Sequence, residues 1–404
     1  MELNTEGELN TNGASNSGGG NGVKILDFSA LADGAALPSE ITFTTGDGEI
    51  LGPKVLRDER VRGVVFTGSY ETAKKIQTIS ASQISDLVKK QYTSLMAGFY
   101  ELQSSFLSGN YKRYDGIETA NIILCFSRNM HLEIIRQREK NLNFNVSLEN
   151  FWHNFSEITK PKVKIISVVQ DTGIPKETVR RKVKNLLNIG FLLESNNNKG
   201  YVWNFLPKEK NLYLNHMNDQ TKTLARFISN FAKHLNLNLS MKIIEKEIQS
   251  QFSFYWYHFL SCELEWLKMW QLKLKDNDLL LIALQVTIPT LKFVDKHLGK
   301  IKLDDVFRIS GKNNNKHNAS TCVVSATTLS KVTGIPRATC IRKLQKLVTL
   351  GFLMRETTSK RYFVNQIIDS RTKNIMNREN VNSTIDIFSQ YFAIILNSLI
   401  QNQR

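Results

Sequence analysis

One stretch of this chain is repeated farther along it at a constant spacing. Residues 172–204 read TGIPKETVRRKVKNLLNIGFLLESNNNKGYVWN, and residues 333–365 read TGIPRATCIRKLQKLVTLGFLMRETTSKRYFVN. The offset is 161 residues without a gap, and 14 of the 33 positions are identical. Such self-similarity is typical of one supersecondary unit that occurs twice. The sequence therefore predicts an internal duplication, and any fold for this chain has to contain the repeated module two times.

Fainter echoes extend the repeat upstream. The segment LENFW at 148–152 pairs with LDDVF at 303–307, and the apolar run at 121–124 resembles the run at 280–283. Before the first module, apolar residues recur at helical spacing, at Leu87, Tyr92, Leu95, Phe99 and Leu102. We expect each duplicated unit to be a helical pair followed by the module, over about 90–206 and about 250–367.

The module itself predicts two helices joined by a tight turn. A short helix over 165–172 or 326–333 ends at Gly173 or Gly334, because glycine tolerates the positive φ of such a turn. Ile174 and Ile335 then fill the angle between the helices, and a proline (Pro175, Pro336) takes the first position of the next helix. That helix runs over 176–188 or 337–349, and its buried stripe is Val179, Val183 and Leu186, or Cys340, Leu344 and Leu347.

A β-hairpin completes the module. Its strands are predicted at 191–194 with 201–205, and at 352–355 with 362–365. Helix, turn, helix and hairpin in this order resemble the winged helix-turn-helix family of transcription regulators, over about 45 residues in each copy. The string TGIP[KR]xT followed by RK and GFL is typical of the second helix and first wing strand in that family. The fold class is accordingly mainly α-helical with two small β-wings.

The resemblance implies a binding mode for DNA. In the family, the second helix of the motif enters the major groove, where arginine reads guanine and lysine contributes mainly charge. The exposed face of that helix carries Lys176, Arg180, Arg181 and Lys184 in the first copy, and Arg337 and Arg342 in the second. By position, Lys182, Lys343 and Lys346 on the flanks would contact phosphates, and Lys199, Lys360 and Arg361 at the wing tips would reach the backbone or the minor groove.

The charge of the chain favours the same partner. Residues 1–81 hold 7 Lys or Arg and 11 Asp or Glu, whereas the remaining residues hold 46 and 26, a net charge of +20. Residues 160–200 carry nine basic and three acidic residues, and residues 325–365 carry eight and one. Winged helices also serve as protein–protein modules, but a merely solvated face mixes its signs. We therefore expect double-stranded DNA as the partner.

Two modules in one chain could supply both halves of a DNA site, as a dimer does. The copies differ where they would read bases: Glu177 against Ala338, Arg180 against Ile341, and Lys184 against Gln345. The expected target is therefore an asymmetric pair of half-sites. A replication-initiation or structural nucleoid role would use the same modules and stays as an alternative to transcription regulation.

Five segments are predicted along the chain. They are a disordered Gly/Asn/Ser-rich tail over 1–25, a distinct segment over 26–78, helical pairs with modules over 79–210 and 211–370, and a C-terminal helix over 371–404. The aromatic run at 252–270 is expected to be packed core rather than a ligand pocket. The closing segment at 385–400 presents Ile387, Tyr391, Ile394, Ile395 and Leu399 and fits a helix docked on its own domain or on a partner chain, so self-association through helical segments stays open.

The segment over 26–78 resembles part of the aldehyde dehydrogenase superfamily, especially its proline-catabolic members. The shared sequence motif is TTGDG followed by VRGVVFTGS. The resemblance implies that Gly68 and Ser69 lie near a cofactor pyrophosphate. It covers about a tenth of the chain, and no catalytic cysteine or general-base glutamate motif follows it. We read it as a non-enzymatic remnant; the rival hypothesis, retained NAD binding, predicts saturable binding that Gly68→Trp abolishes.

Other classes of site are not indicated. Cys125, Cys262, Cys322 and Cys340 lie far apart without ligand spacing, so neither a zinc site nor a disulfide framework is expected. The sequence contains no GxSxG, HExxH or P-loop motif, so we predict that the protein is not an enzyme and needs no cofactor. The first 25 residues lack the apolar core of a signal peptide, and the apolar stretch at 279–291 is too short to span a bilayer. These features predict a cytoplasmic protein without a membrane segment.

Overall fold

The structure of the chain is a computed structural model. It describes residues 79–195, 200–205, 209–306, 322–365 and 377–402, and three short strands before them. The chain divides into two units, Met1–Thr78 with Ile400–Arg404, and Ile79–Leu399. The described residues are mainly helical with a few short strands, as the sequence predicted.

The first unit contains an antiparallel sheet of three strands. They are β1 (Val23–Ile25), β2 (Phe43–Thr44) and β3 (Val64–Phe66), and β1 lies in the middle, with Val23 opposite Thr44 and Phe66. Val23–Ile25 are the last residues of the predicted disordered tail, so that prediction fails at its end. Gly68 and Ser69, the residues singled out by the resemblance to aldehyde dehydrogenases, lie outside the described residues.

The second unit consists of thirteen described helices and two β-hairpins. The first half of this unit contains α1 (Ala81–Lys90), α2 (Tyr92–Tyr114), α3 (Ile117–Lys140), α4 (Phe151–Glu157), α5 (Ile165–Thr172), α6 (Lys176–Asn188), β4 (Leu192–Glu194), β5 (Tyr201–Trp203) and α7 (Lys210–His234). The second half contains α8 (Met241–Ser250), α9 (Phe252–Leu274), α10 (Asn277–Leu298), α11 (Ala326–Thr333), α12 (Arg337–Thr349), β6 (Leu353–Arg355), β7 (Tyr362–Val364) and α13 (Arg378–Gln401).

Corresponding helices of the two halves begin at a nearly constant spacing. Helices α1 and α8 both have ten residues and follow a serine N-cap, Ser80 or Ser240, whose side chain accepts a backbone N–H. Helices α2 and α9 both have 23 residues, and α2 and α3 start 160 residues before α9 and α10. This offset differs by one from that of the echo between 121–124 and 280–283. The correspondence also begins earlier than the sequence predicted, at Ala81 and Met241.

The two halves exchange their long helices. Helix α2 packs along α10, and α3 packs along α9, so each long pair combines one helix from each half. The first module packs against α3 and α9, and the second against α10 and α2. Exchanging the halves turns every one of these contacts into its counterpart. The unit therefore has approximate twofold symmetry in its helix packing.

Contacts between α2 and α9 lie where such a twofold axis would pass. The ring of Phe99 lies 5.9 Å from that of Trp266, and the ring of Phe106 lies 5.1 Å from that of Phe259. Between them Gln103 Nε2 donates to Glu263 Oε1 at 2.5 Å, and both side chains are fully buried. These residues occupy i, i+4 and i+7 on both helices at an offset of 160. Phe99 and Phe106 thus each contact the counterpart of the other, and Gln103 contacts its own counterpart, as expected for an antiparallel crossing on a twofold axis.

The aromatic run and the closing helix belong to the core. Trp256, Phe259 and Trp266 of α9 are buried, as predicted. Helix α13 packs within the same unit, with Phe388 4.9 Å from Phe99 and 6.0 Å from Phe227 between ring centroids. Its predicted apolar face was partly wrong: the buried residues include Ile385, Phe388, Phe392, Ile395, Leu396 and Leu399, whereas Ile387 and Tyr391 are half-buried and Ile394 is exposed.

Two described helices are long and apolar enough to cross a membrane by length and composition, α10 and α13. The stretch at 279–291, predicted to be too short to span a bilayer, lies within α10, which has 22 residues. The most apolar windows of the two helices are 56% and 50% buried inside the protein. Core helices pass the same test, so this is weak evidence for a membrane protein.

Candidate nucleic-acid interface

The turn between the two helices of each module has the same hydrogen bonds in both copies. Gly173 and Gly334 adopt φ of 67° and 82°, in the left-handed region that favours glycine. The hydroxyl of Thr172 donates to the Val168 carbonyl and accepts from Ile174 N–H, and Thr333 makes the equivalent pair of bonds. Ile174 and Ile335 are fully buried between the helices, as predicted.

Each turn is held by a long helix of the other half. A Cβ at Gly173 would lie 3.3 Å from Leu272 Cδ2 of α9, and one at Gly334 would lie 2.7 Å from Lys112 Cγ of α2. Lys112 and Leu272 are themselves separated by 160 residues. The long helices α2 and α9 thus fix the position of the opposite module.

Helices α6 and α12 begin and end where the sequence predicted. Their stripes Val179, Val183, Leu186 and Cys340, Leu344, Leu347 are at most 1% exposed. The prolines were placed one position too far inside: Pro175 and Pro336 are N-caps with ψ near 138°, and the Pro175 carbonyl accepts the first helical bond from Val179 N–H. A cap residue with extended ψ precedes the helix proper. The burial leaves the opposite face of each helix toward solvent.

The hairpins have equal registers. Leu192 pairs with Trp203 in the first module, and Leu353 pairs with Val364 in the second. A further residue adds a bridge to each hairpin, Val163 to Tyr201 and Val324 to Tyr362. The side-chain amides of Asn204 and Asn365 donate to the carbonyls of Gly190 and Gly351. These hydrogen bonds join the second strand of each hairpin to the loop that follows α6 or α12. The observed strands are one or two residues shorter than predicted.

The outer face of α6 is basic. Lys176, Arg180, Arg181 and Lys184 are all exposed. Arg180 Nη1 donates to Glu177 Oε1 at 2.8 Å, and both side chains are more than half exposed, so water and salt weaken this pair. Arg181 makes no hydrogen bond or ion pair with the described residues.

The outer face of α12 carries fewer cations. Arg337, Arg342 and Lys346 are exposed, and Arg337 Nε donates to Thr327 Oγ1 at 3.2 Å. Ile341 is 38% exposed at the position that Arg180 occupies in α6. Arg342, like Arg181, has no protein partner among the described residues. The two outer faces therefore share one arginine and differ around it.

Two lysines assigned to phosphates have partners inside the protein. Lys343 is 9% exposed, and its Nζ lies 2.7 Å from Asp276 and 3.2 Å from Asp278 at the start of α10. Its predicted DNA contact is therefore wrong, because two carboxylates already hold the buried ammonium group. Lys182 donates to Thr119 Oγ1 at 3.0 Å and lies 3.7 Å from Glu118 Oε2 on α3, so it too is turned toward the long helices.

The tips of the hairpins are only partly described. Lys360 and Arg361 are exposed, and Lys360 adopts φ of 56° in the turn. Both are free to face a ligand outside the protein. Lys199 lies outside the described residues.

Sequence reasoning missed the carboxylates that hold the modules. Asp276 is the N-cap of α10, and Asp278 and Glu118 lie in the first turns of α10 and α3. Carboxylates favour that end of a helix on electrostatic grounds, and here they also meet a lysine of α12 or α6. The identity of Lys182 and Lys343 in the two repeats could have indicated these internal ion pairs, because identical residues are expected at internal contacts as well as at DNA contacts.

Neither a metal site nor a known relative adds information about the basic faces of α6 and α12. Within the described ranges, no group of three or more His, Cys, Asp or Glu could hold a metal ion. Comparison with protein-family models, curated proteins and solved structures gave no match for this chain.

Proposed function

We propose that this chain is a transcription regulator that binds double-stranded DNA through two winged helix-turn-helix modules, produced by internal duplication. The order of helices and hairpins, the equal registers and the exchange of long helices support this proposal. In it, α6 and α12 are the recognition helices and the two hairpins are the wings.

The observation that carries the proposal is an arginine at the same exposed position in both modules. Most identical positions of the repeat have internal roles: Thr172 and Asn204 make hydrogen bonds, Ile174 is buried, and Lys182 contacts α3. Arg181 and its counterpart Arg342 are exposed and have no partner among the described residues. Contact with a ligand outside the protein explains why both copies hold arginine there, and arginine suits guanine or phosphate.

The proposed target is asymmetric. Approximate twofold symmetry lets one chain present two recognition helices, as dimeric regulators do toward half-sites about one helical turn apart. Around the shared arginine, α6 adds Lys176, Arg180 and Lys184, whereas α12 adds Arg337 and Lys346. The half-site under α6 is therefore expected to contribute more of the salt-dependent affinity.

A selection of bound fragments from random duplex DNA, at two salt concentrations, would identify the target. The affinity is then measured for the wild type, for Arg181→Ala/Arg342→Ala, and for the control Lys222→Ala/Lys242→Ala. Both variants remove two exposed charges, but the control charges lie on α7 and α8 outside the modules. We expect the arginine variant to bind at least about tenfold more weakly, since each base contact contributes about 1–3 kcal/mol. The control should stay within about twofold.

Three outcomes would contradict parts of the proposal. No binding to duplex DNA at low ionic strength would remove DNA as the partner and favour a protein–protein role for the modules. Equal weakening by both variants would show that net charge, not the paired arginines, determines binding. Uniform coverage without a discrete footprint in excess competitor DNA would replace regulation by a structural nucleoid role.

A further inference from the structure

A groove lies between α2 and α7 of the first half and α10 of the second half. It encloses about 670 Å³, which is within the range of small-molecule sites. Its apolar wall includes Leu95, Leu102, Phe227 and Phe231, and its rim carries charged side chains. The groove thus combines an apolar surface with a polar opening.

Small residues of α2 create the space. Ser94, Ala97 and Gly98 line the groove, and a Cβ on Gly98 would already be in van der Waals contact with the ring of Phe227, at 3.5 Å. Side chains longer than alanine at these positions would extend into the groove. Its volume therefore depends on three short side chains along one helix.

The corresponding sequence positions of the second half carry larger side chains. At the offset of 160, Ser94, Ala97 and Gly98 correspond on α9 to Phe254, Tyr257 and His258. These positions thus carry large side chains on α9 and small ones on α2. The space therefore depends on side chains of α2 that the corresponding helix of the second half does not share.

The rim has an excess of positive charge. Four cations line it, Arg226, Lys233, Lys292 and Lys296, against the two carboxylates Glu101 and Asp295. Lys292 pairs with Glu101, and Asp295 accepts a hydrogen bond from Thr93 at 3.0 Å.

Two of the four cations are uncompensated. Arg226 and Lys296 are exposed and make no hydrogen bond or ion pair with the described residues. The two stand on different helices, α7 and α10, on either side of the groove.

We propose that this groove binds a small organic anion, with a carboxylate or phosphate group between Arg226 and Lys296 and an apolar body against Phe227 and Leu95. Arginine and lysine recognise such oxyanions by charge-assisted hydrogen bonds. The apolar wall adds affinity in proportion to the area that it covers.

The ligand would act on the second module, an inference that rests on the proposed function. Helix α2 lines the groove with residues between Ser94 and Ser105, and it contacts the turn at Gly334 through Lys112. Helix α10 lines it with Lys292 and Lys296 and holds Lys343 through the carboxylates at its other end. Two of the three helices that would contact the ligand, α2 and α10, therefore also hold the second module, so the groove is an effector site for the second DNA contact.

The binding test uses 1-anilinonaphthalene-8-sulfonate, an aromatic anion whose fluorescence rises in apolar surroundings, titrated into the full chain without DNA. Arg226→Glu/Lys296→Glu reverses the two free charges, and Lys222→Glu/Lys242→Glu makes the same change outside the groove. Ser94→Phe fills the groove with the residue that α9 carries at the corresponding position. Circular dichroism checks that each variant is folded.

We expect saturable binding that both groove variants weaken at least about tenfold, whereas the control stays within about threefold. Equal loss in the charge control, or unchanged binding in Ser94→Phe, would overturn the site. Should the charge reversal unfold the protein, Ser94→Phe still decides. A second titration with the selected duplex tests the coupling: a probe that binds the groove without changing the DNA affinity would overturn the effector role alone. Because the first titration contains no DNA, failure of the proposed function leaves its result unaffected.

Discussion

Replacing Glu263 by glutamine tests the polar pair at the centre of the helix crossing. Glu263 is fully buried, and burial raises the pKa of its carboxyl from the ordinary 4.5 to about 8, although the hydrogen bond from Gln103 opposes the shift. At neutral pH the folded protein therefore holds mostly a neutral carboxyl. Glu263 Oε2 and Gln103 Oε1 have no partner among the described residues, and a proton on Oε2 would supply a donor to this pair.

The sign of the pH dependence follows from the raised pKa. Below pH 4.5 both the folded and the unfolded chain hold the proton, and stability has its full value. Between pH 4.5 and about 8 only the unfolded chain releases it, so the free energy of unfolding falls as the pH rises. The interval of about 3.5 pH units, at about 1.4 kcal/mol each, gives an upper bound of about 5 kcal/mol. Water that enters the crossing on ionisation would reduce this value.

Glutamine has nearly the shape of the neutral carboxylic acid and does not ionise. We expect Glu263→Gln to match the wild type at pH 4.5 and to exceed its unfolding free energy by several kcal/mol at pH 8. Urea unfolding followed by circular dichroism at pH 4.5, 6.5 and 8 measures the difference. The control Asp86→Asn neutralises an exposed carboxylate on α1 and should leave the pH profile unchanged. Parallel stability curves for Glu263→Gln and the wild type over this range would refute the reasoning.

Three further substitutions test the module contacts and the buried histidine. Lys343→Met should lower the unfolding free energy by about 1–3 kcal/mol, because Asp276 and Asp278 lose their cation. Thermal melting should show no such loss for Arg342→Ala. Gly334→Ala should be less stable than Gly351→Ala in urea unfolding. Both glycines have positive φ, at 82° and 73°, but only a Cβ at Gly334 would have a neighbour, Lys112, within 4 Å. Equal losses of stability in the two variants would show that crowding by Lys112 is irrelevant. Burial lowers the pKa of His131 to about 3, so the stability that its neutral form provides is complete above pH 6.5 and is lost as the pH falls toward 3. His131→Leu copies Leu291 of the second half and should reduce this loss of unfolding free energy at acid pH. An unchanged dependence of stability on pH in the acid range would contradict the prediction.

Local rules predicted the modules almost to the residue. The glycine turns, the buried stripes of α6 and α12 and the strands of the hairpins depend on neighbours within a few positions, and all are visible in the repeat. Pro175 and Pro336 were misplaced by only one position. The sequence pattern of each element agreed with its tertiary contacts, which is why short-range reasoning succeeded there.

Long-range contacts could not be predicted in the same way. Lys182 and Lys343 were assigned to DNA because helical spacing alone put them on the flanks, and only the packing on α3 and α10 reveals their carboxylate partners. The exchange of α2 and α9 between halves joins residues about 160 positions apart, which no periodicity encodes. The buried face of α13 was misjudged for the same reason, since Phe388 and Phe392 face a core built from both halves.

The two halves share their packing and differ where a ligand would touch them. The Thr172 and Thr333 turns, the Asn204 and Asn365 amides and the crossing of α2 with α9 are matched pair by pair, and they hold both modules in equivalent positions. The outer faces of α6 and α12 diverge, and so do the walls of the groove. Arg180 against Ile341 and Lys184 against Gln345 are exposed in both halves, and these differences fit separate ligands for the two halves. The proposed asymmetric DNA target and the effector groove on one side both follow from this division.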